Sequence, residues 1–460
     1  MACSHTSLSF VPSANAVTAG YRGFTAQQRA SAAVPVASRS KKNASDVDHA
    51  PISTFPAPLV LPKDDLSMDP RCPPQSLRSW LRSEERNEVT PKRNVIYVAA
   101  PPDVASDVQF VRTWSQPQAL ETSAAISPPR VKDVMEYLAA FYHGLSVRLL
   151  PPPKLCFASW DAGVPKRSKS KSKATIPPYI GLNTATECVR IRSRPSADGD
   201  FTAQLNLDDL LDAAISMLPK DAYALLMLVE HDLFEDEDDV FVCGRAYGGS
   251  RVAVISTARY HPCLDAKHSV ERQHAWPASH CESYLRTCCL VTERSPKRPK
   301  KKVKTRYPET EDTTPPVPPP TALYTLPQAT TTPMHAAVSA HTALPSLDSS
   351  PTRQALTGLW LSRVCRTASH ELGHCFGMEH CVYHACAMQS SSCLAEDARQ
   401  PPYLCPVDLA KMLHATGTSK EARYQALLAF CEGYEGTRLF AAFAAWIRAQ
   451  SKCNHPQLAN

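Results

Sequence analysis

Two histidines four residues apart, then a glycine, then a third histidine restrict what this chain can fold into more than any other feature of it. The stretch reads His370-Glu371-Leu372-Gly373-His374-Cys375-Phe376-Gly377-Met378-Glu379-His380. On a helix, positions i and i+4 differ by about 40° of rotation and roughly 6 Å of rise, so both imidazoles leave one face. They can share one ion. For His380 to reach that ion the helix must stop, and Gly377 is the residue type that permits the sharp turn required. The fold must therefore place a helix end, and the chain returning from it, around a single point.

Three imidazoles suit zinc, and three protein ligands leave a fourth position open to water, the catalytic rather than the structural arrangement. Zinc lowers the pKa of such a water to about 7. Glu371, beside the first ligand, is placed to take its proton and pass it to a leaving amine. A bare H-E-x-x-H arises by accident, but five fixed positions in a chain with only 16 His and 15 Gly are far more specific. The bland readings, satisfied histidines on an ordinary helix or a purely structural zinc, fit less well. Three histidines and a glutamate do not close a structural tetrahedron.

The pattern is the long zinc-peptidase signature of the metzincins, which adds a methionine-bearing turn downstream, where Met388 stands. Cys381 follows the third histidine directly, Cys386 lies five further on, and Cys405-Pro406-Val407-Asp408 closes the stretch. In this the chain resembles the archaemetzincin family, sharply over 367–409 and more loosely over about 91–453. The resemblance implies a catalytic zinc on His370, His374 and His380, Glu371 as general base, and Met388 as an apolar floor that does not ligate. It also implies a second, structural zinc held by four cysteines, of which Cys381, Cys386 and Cys405 are present. The last is replaced by Asp408. Three thiolates and a carboxylate can bind zinc; alternatively Cys393 completes the set, or the site is empty and the thiols pack as small hydrophobes.

The expected function is thus a zinc-dependent peptidase acting on peptide or protein substrates through a zinc-activated water. Two other readings remain: a zinc-stabilised peptide- or protein-binding module, and a hydrolase of non-peptide amides. The expected fold is α/β: one metzincin-like catalytic domain with a small mixed sheet, flanking helices, a zinc helix, the Met-turn, C-terminal helices and long disordered insertions.

Proline is abundant, with 41 against 15 glycines, and its runs cannot be helix interior or central strand. Residues 1–75 show no sustained period and read as a disordered or loosely packed extension; 76–290 and 353–460 read as the two parts of the catalytic domain. Between those parts, 291–352 is basic and proline-rich and reads as a disordered insertion. The net charge of +6 sits largely in two basic runs, at 165–173 and 297–304, so no nucleic-acid partner is implied. Both runs could serve nuclear import. The 17 cysteines form no regular disulfide framework, which favours a cytoplasmic or nuclear compartment. No apolar run is long enough for a membrane span, and a monomer is expected.

Within the catalytic part, 95–99, 147–150, 223–229, 240–242 and 252–256 read as strands, and 131–141, 205–218 and 355–376 as helices. The acidic stretch 230–239 lacks the spacing of a calcium loop and reads as a solvated loop. Helices at 409–413 and over 421–449, broken at Gly433 and Gly436, complete the chain.

Overall fold

The strand Ala222–Val229 is apolar without interruption, and a strand of that kind is stable only when both faces of its sheet are covered. The computed structural model covers both. It describes residues 3, 5–35, 51–84, 86–118, 126–160, 176–293 and 332–454. In chain order the strands are β1 Val95–Ala99, β2 Asp103–Val104, β3 Ser146–Leu149, β4 Cys156–Ala158, β5 Tyr179–Asn183, β6 Cys188–Pro195, β7 Ala203–Asn206, β8 Ala222–Val229, β9 Asp232–Phe234, β10 Gly244–Tyr247 and β11 Val252–Ser256. One sheet has the order β10-β11-β8-β1-β3 and the other β2-β4-β5-β6-β7-β9.

In the first sheet β3, β1, β8 and β11 run parallel, and β10 pairs antiparallel to β11 as an edge. Side chains alternate between its faces. Ile96, Val98, Tyr223, Leu226 and Ile255 pack with the helices Val131–Phe141 and Arg353–Cys375. Val95, Tyr97, Leu225, Met227 and Val254 face the other way, onto the helix Leu207–Ser216 and the second sheet. The α/β class holds, with the long Arg353–Cys375 helix lying under the first sheet.

The second sheet has no counterpart in the sequence reading. Most of its strands are short, β6 carries arginines at 190, 192 and 194 in a weak alternation, and residues 161–175, between β4 and β5, lie outside the described region. The hairpin edge strand also lies later than expected, at Gly244–Tyr247 instead of 240–242, with Gly248 and Gly249 in the turn. The acidic stretch is not wholly solvated: Asp232 is buried, and both its oxygens accept from Arg259.

Two stretches read as extension or insertion differ from expectation where they are described. Within 1–75, Phe55, Leu59, Val60 and Leu61 are buried, and Phe55 meets Tyr403 and Trp446 edge to face. Single apolar anchors and backbone hydrogen bonds such as Ala385 N to Pro56 O, 2.8 Å, hold this stretch. Neither leaves a period in the sequence. Within 291–352, Pro333–Ala343 is a helix, N-capped by Thr332, whose Met334, Ala337 and Val338 are buried in the main core. It packs along the helix Arg438–Asn454. The basic runs at 165–173 and 297–304 lie outside the described residues.

Candidate active site

The Arg353–Cys375 helix starts at Thr352, whose side chain accepts from Ala355 N, and ends just after His374. Its end is a Schellman motif: Gly377 N donates to His374 O at 2.9 Å and Met378 N to Gly373 O at 3.2 Å, with Gly377 at φ +72°. Three anchors hold this terminus. Trp80 Nε1 donates to Phe376 O at 2.8 Å, Tyr142 Oη to Ser369 O at 2.6 Å, and Tyr223 Oη to Cys375 O at 3.2 Å. The helix end is thereby fixed to the first sheet by Tyr223 and to the segments carrying Trp80 and Tyr142, and the chain reverses at Gly377 to bring His380 back.

The three imidazoles converge, with ring centroids 4.8, 5.4 and 4.9 Å apart. His370 Nδ1 lies 2.8 Å from Ala387 O and His374 Nδ1 lies 2.7 Å from Met378 O. A carbonyl only accepts, so both Nδ1 atoms carry the proton and both Nε2 atoms present lone pairs. Those Nε2 atoms stand 3.1 Å apart. Two bare lone pairs at that distance repel unless a cation lies between them. Tetrahedral zinc, with Zn–N near 2.0–2.1 Å, spaces its nitrogens roughly 3.3 Å apart, so the donor set fits the ion. Burial, with the neighbouring imidazoles, pushes all three histidines down to about 3 and keeps them neutral.

Each of these side chains keeps a little surface, yet protein crowds the site densely. The same crowding raises the Glu371 carboxyl to about 8, opposed by the nearby Arg245 guanidinium on β10. Arg245 itself pairs with Glu235. The turn after β10 passes so close to the helix that a Cβ on Gly248 would meet His374 O at 2.5 Å. From the other side Met388 packs beneath the helix, where a Cβ on Gly373 would lie 2.4 Å from its Sδ. Its position is tied to the histidines, since Ala387 O accepts from His370 and Cys381 N donates to Met388 O at 2.8 Å.

Cys381, Cys386, Cys405 and Asp408 form a second, fully buried group whose ligand atoms lie within 4.8 Å of one another. Cys381 Sγ and Cys405 Sγ are 3.6 Å apart, close to the roughly 3.7 Å edge of a zinc–thiolate tetrahedron. Asp408 Oδ2 faces Cys386 Sγ at 3.2 Å and Cys405 Sγ at 3.5 Å. Its Oδ1 accepts from Lys411 Nζ at 2.8 Å, and both residues are buried. Burial, then the neighbouring Cys381, raises the Asp408 carboxyl to about 6 against the pull of Lys411. Cys393 is exposed, ahead of the short helix Leu394–Asp397, and does not belong to this group.

Two residues here carry no motif. Lys411 Nζ also donates to Gln75 Oε1 at 2.8 Å, while Gln75 Nε2 donates to Gly377 O at 2.9 Å and Gln75 Oε1 accepts from Glu379 N at 3.1 Å. Gln75 thus links the cysteine group to the turn that carries His380. A charged residue three positions after Asp408 on one helix was the signal available for Lys411; for Gln75 there was none.

The family model described as Peptidase family M54 matches residues 342–413. Archaemetzincin-2 of Pongo abelii is 24% identical over 380 residues, covering 82% of this chain and 75% of that protein. Archaemetzincin-2 of Homo sapiens is 47% identical over 73 residues, 16% of this chain and 20% of that protein. Among solved structures, archaemetzincin from Methanopyrus kandleri aligns over 72% of this chain and 99% of its own, with 14% identity and a TM-score of 0.30. No described helix is long and apolar enough to cross a membrane.

Proposed function

Because this chain belongs with the archaemetzincins, zinc metalloproteases of peptidase family M54, we propose that His370, His374 and His380 hold its catalytic zinc and that Glu371 is the general base. The observation that carries this reading is the pair of bare Nε2 atoms 3.1 Å apart, with the densely crowded Glu371 carboxyl on the same helix end. Zinc, when bound, polarises a peptide carbonyl and makes water a nucleophile near neutral pH. Everything else falls to the chain. The Ala387 and Met378 carbonyls fix the tautomers and aim of His370 and His374. Glu371 accepts the water's proton and returns it to the leaving amine. Arg245 favours its anionic form.

The edge strand β10 ends the sheet beside the zinc-signature helix, and the close approach at Gly248 brings that edge over the histidines. An extended peptide adding to β10 through main-chain hydrogen bonds would lie across the site. Cys381, Cys386, Cys405 and Asp408 are proposed to hold a second, structural zinc, with Asp408 binding through Oδ2 while Lys411 holds Oδ1.

Glu371→Gln should abolish turnover of a peptide library while leaving zinc bound; a variant that still cleaves excludes Glu371 as the base. Wild-type protein that keeps zinc but cleaves nothing would instead make this a peptide-binding module. Asp408→Ala should lower the zinc content by one per chain, and an unchanged content removes Asp408 from the ligand set.

A further inference from the structure

Far along the chain from these sites, the N-terminal arm brings a thiol and an imidazole to a buried histidine. Cys3 Sγ, one ring nitrogen of His5 and one of His274 all lie within 4.8 Å of one another. His274 is 7% exposed, and its Nδ1 meets the Glu271 carboxylate at 2.7 Å. Nε2 is therefore the nitrogen left to bind, and it is buried without a hydrogen-bond partner. His5 Nε2 is buried and unpartnered too. A buried imidazole nitrogen left unsatisfied is costly, and two at one place ask for an explanation.

We propose that Cys3, His5 and His274, with Cys281 as fourth donor, form a zinc site that clips the N-terminal arm to the segment around 274–284. Cys281 is buried and its sulfur lies 2.7 Å from that of Cys3; it stands outside the three-donor group, so binding the ion would draw it toward the imidazoles. Two thiolates and two imidazoles are the donor set of closed structural zinc sites, and the charge of the two thiolates balances the ion. Binding would part the two sulfurs to roughly 3.7 Å, the edge of the coordination tetrahedron. The surroundings match an outer shell. Glu271 orients His274 as carboxylates orient metal-bound histidines, and the Ser283 hydroxyl lies 2.9 Å from Cys3 Sγ and 3.3 Å from Cys281 Sγ.

The backbone has already brought the arm to this place: Ser9 N donates to His280 O at 2.8 Å and Glu282 N to Ser7 O at 3.0 Å. A disulfide between Cys3 and Cys281 is the competing outcome, but it would leave both orphaned imidazole nitrogens unexplained. A further cluster, Asp198, Asp200 and His268, offers no such case, because Arg259 and Lys267 already pair with its carboxylates.

The test compares the metal content of the full chain, purified without chelator, with that of the Cys3→Ser/His5→Ala variant. Both substitutions lie on the arm, away from the main core. The variant should hold one zinc fewer per chain and keep wild-type peptidase activity, so the outcome is separate from that of the catalytic assignment. In the wild-type chain, alkylation of Cys3 by iodoacetamide, followed by peptide mapping, should accelerate at least tenfold when a chelator is added. Equal metal content in the two proteins, a Cys3 reactivity indifferent to chelator, or a mapped Cys3–Cys281 disulfide without loss of metal would each overturn the site.

Discussion

Replacing Gly373 by Ala sets two opposite forces against each other within one helical turn of the candidate ligands. In a helix interior the change gains about 1 kcal/mol of propensity. Against that, the new methyl would stand 2.4 Å from Met388 Sδ, 2.9 Å from Met388 Cε and 3.1 Å from Met378 Cε. Overpacking of that kind costs about 1–3 kcal/mol, so the stability of Gly373→Ala should range from unchanged to about 2 kcal/mol lower. The larger effect is on metal. Sδ and Cε end a flexible side chain and relieve part of the clash; the rest presses on the backbone beside Ala387 O, which holds His370, and outer-shell disturbances of this type cost up to about 10- to 100-fold in metal affinity.

A double-mutant cycle isolates the contact. Met388→Ala alone should cost about 2–5 kcal/mol through the cavity it leaves. In the double variant the methyl introduced by Gly373→Ala occupies part of that space and the clash is gone, so the two changes should couple favourably by about 1–3 kcal/mol. Urea denaturation gives the stabilities, and competition with a chromophoric chelator gives the zinc affinities. A Gly373→Ala protein stabilised by the full 1 kcal/mol or so that helix propensity offers, with zinc affinity unchanged, would refute the placement of Met388 under the helix.

Gly377→Ala forces a side chain to φ +72° and to 3.3 Å from Arg86 Cα, so it should cost about 1–2 kcal/mol in urea denaturation and weaken zinc binding by displacing His380. Gly248→Ala puts a methyl against backbone, 2.5 Å from His374 O; it should depress peptidase activity while zinc stays bound, measured as kcat/KM beside metal content. Lys411→Met breaks a buried ion pair with Asp408 and should cost about 3–5 kcal/mol, most of it recovered in Lys411→Met/Asp408→Asn. Stability should also fall with acid. Burial lowers His231 and His280 to about 4, so between pH about 6.5 and 4 the unfolded chain takes up protons that the folded chain refuses. Each contributes a loss of up to about 1.4 kcal/mol per pH unit across that window, levelling off below it. Urea midpoints at pH 7 and 5 should differ less in His231→Gln.

How much of this was legible in the chain depended on the range of the physics involved. The convergence of His370, His374 and His380 follows from helix periodicity and one glycine, interactions a few residues long, and sequence expresses those directly. The Ala222–Val229 strand announced itself by continuous apolarity, and the helix Val131–Phe141 by its spacing. The packed segments at 51–68 and 333–343 did neither. They gain their order from contacts with residues far away in the chain, Trp446 and the Arg438–Asn454 helix, and proline-rich or small-residue composition hides such contacts. The short strands of the second sheet likewise depend on partners, because a strand of three or four residues is stable only when paired.

The sequence alone therefore determined the chemistry on offer at the centre: which donors face one point, in what order, and that a carboxyl stands beside them. It also displayed the departure at Asp408. Only the tertiary structure decided that Asp408 is buried against the cysteines, with Gln75 reaching its partner Lys411 from far along the chain, and that Arg245 and Gly248 of an edge hairpin sit over the histidines. The division has one cause. Ligand spacing is set by the local geometry of a helix and its turn, whereas burial, charge compensation and access are set by whichever distant segments the whole chain packs against it.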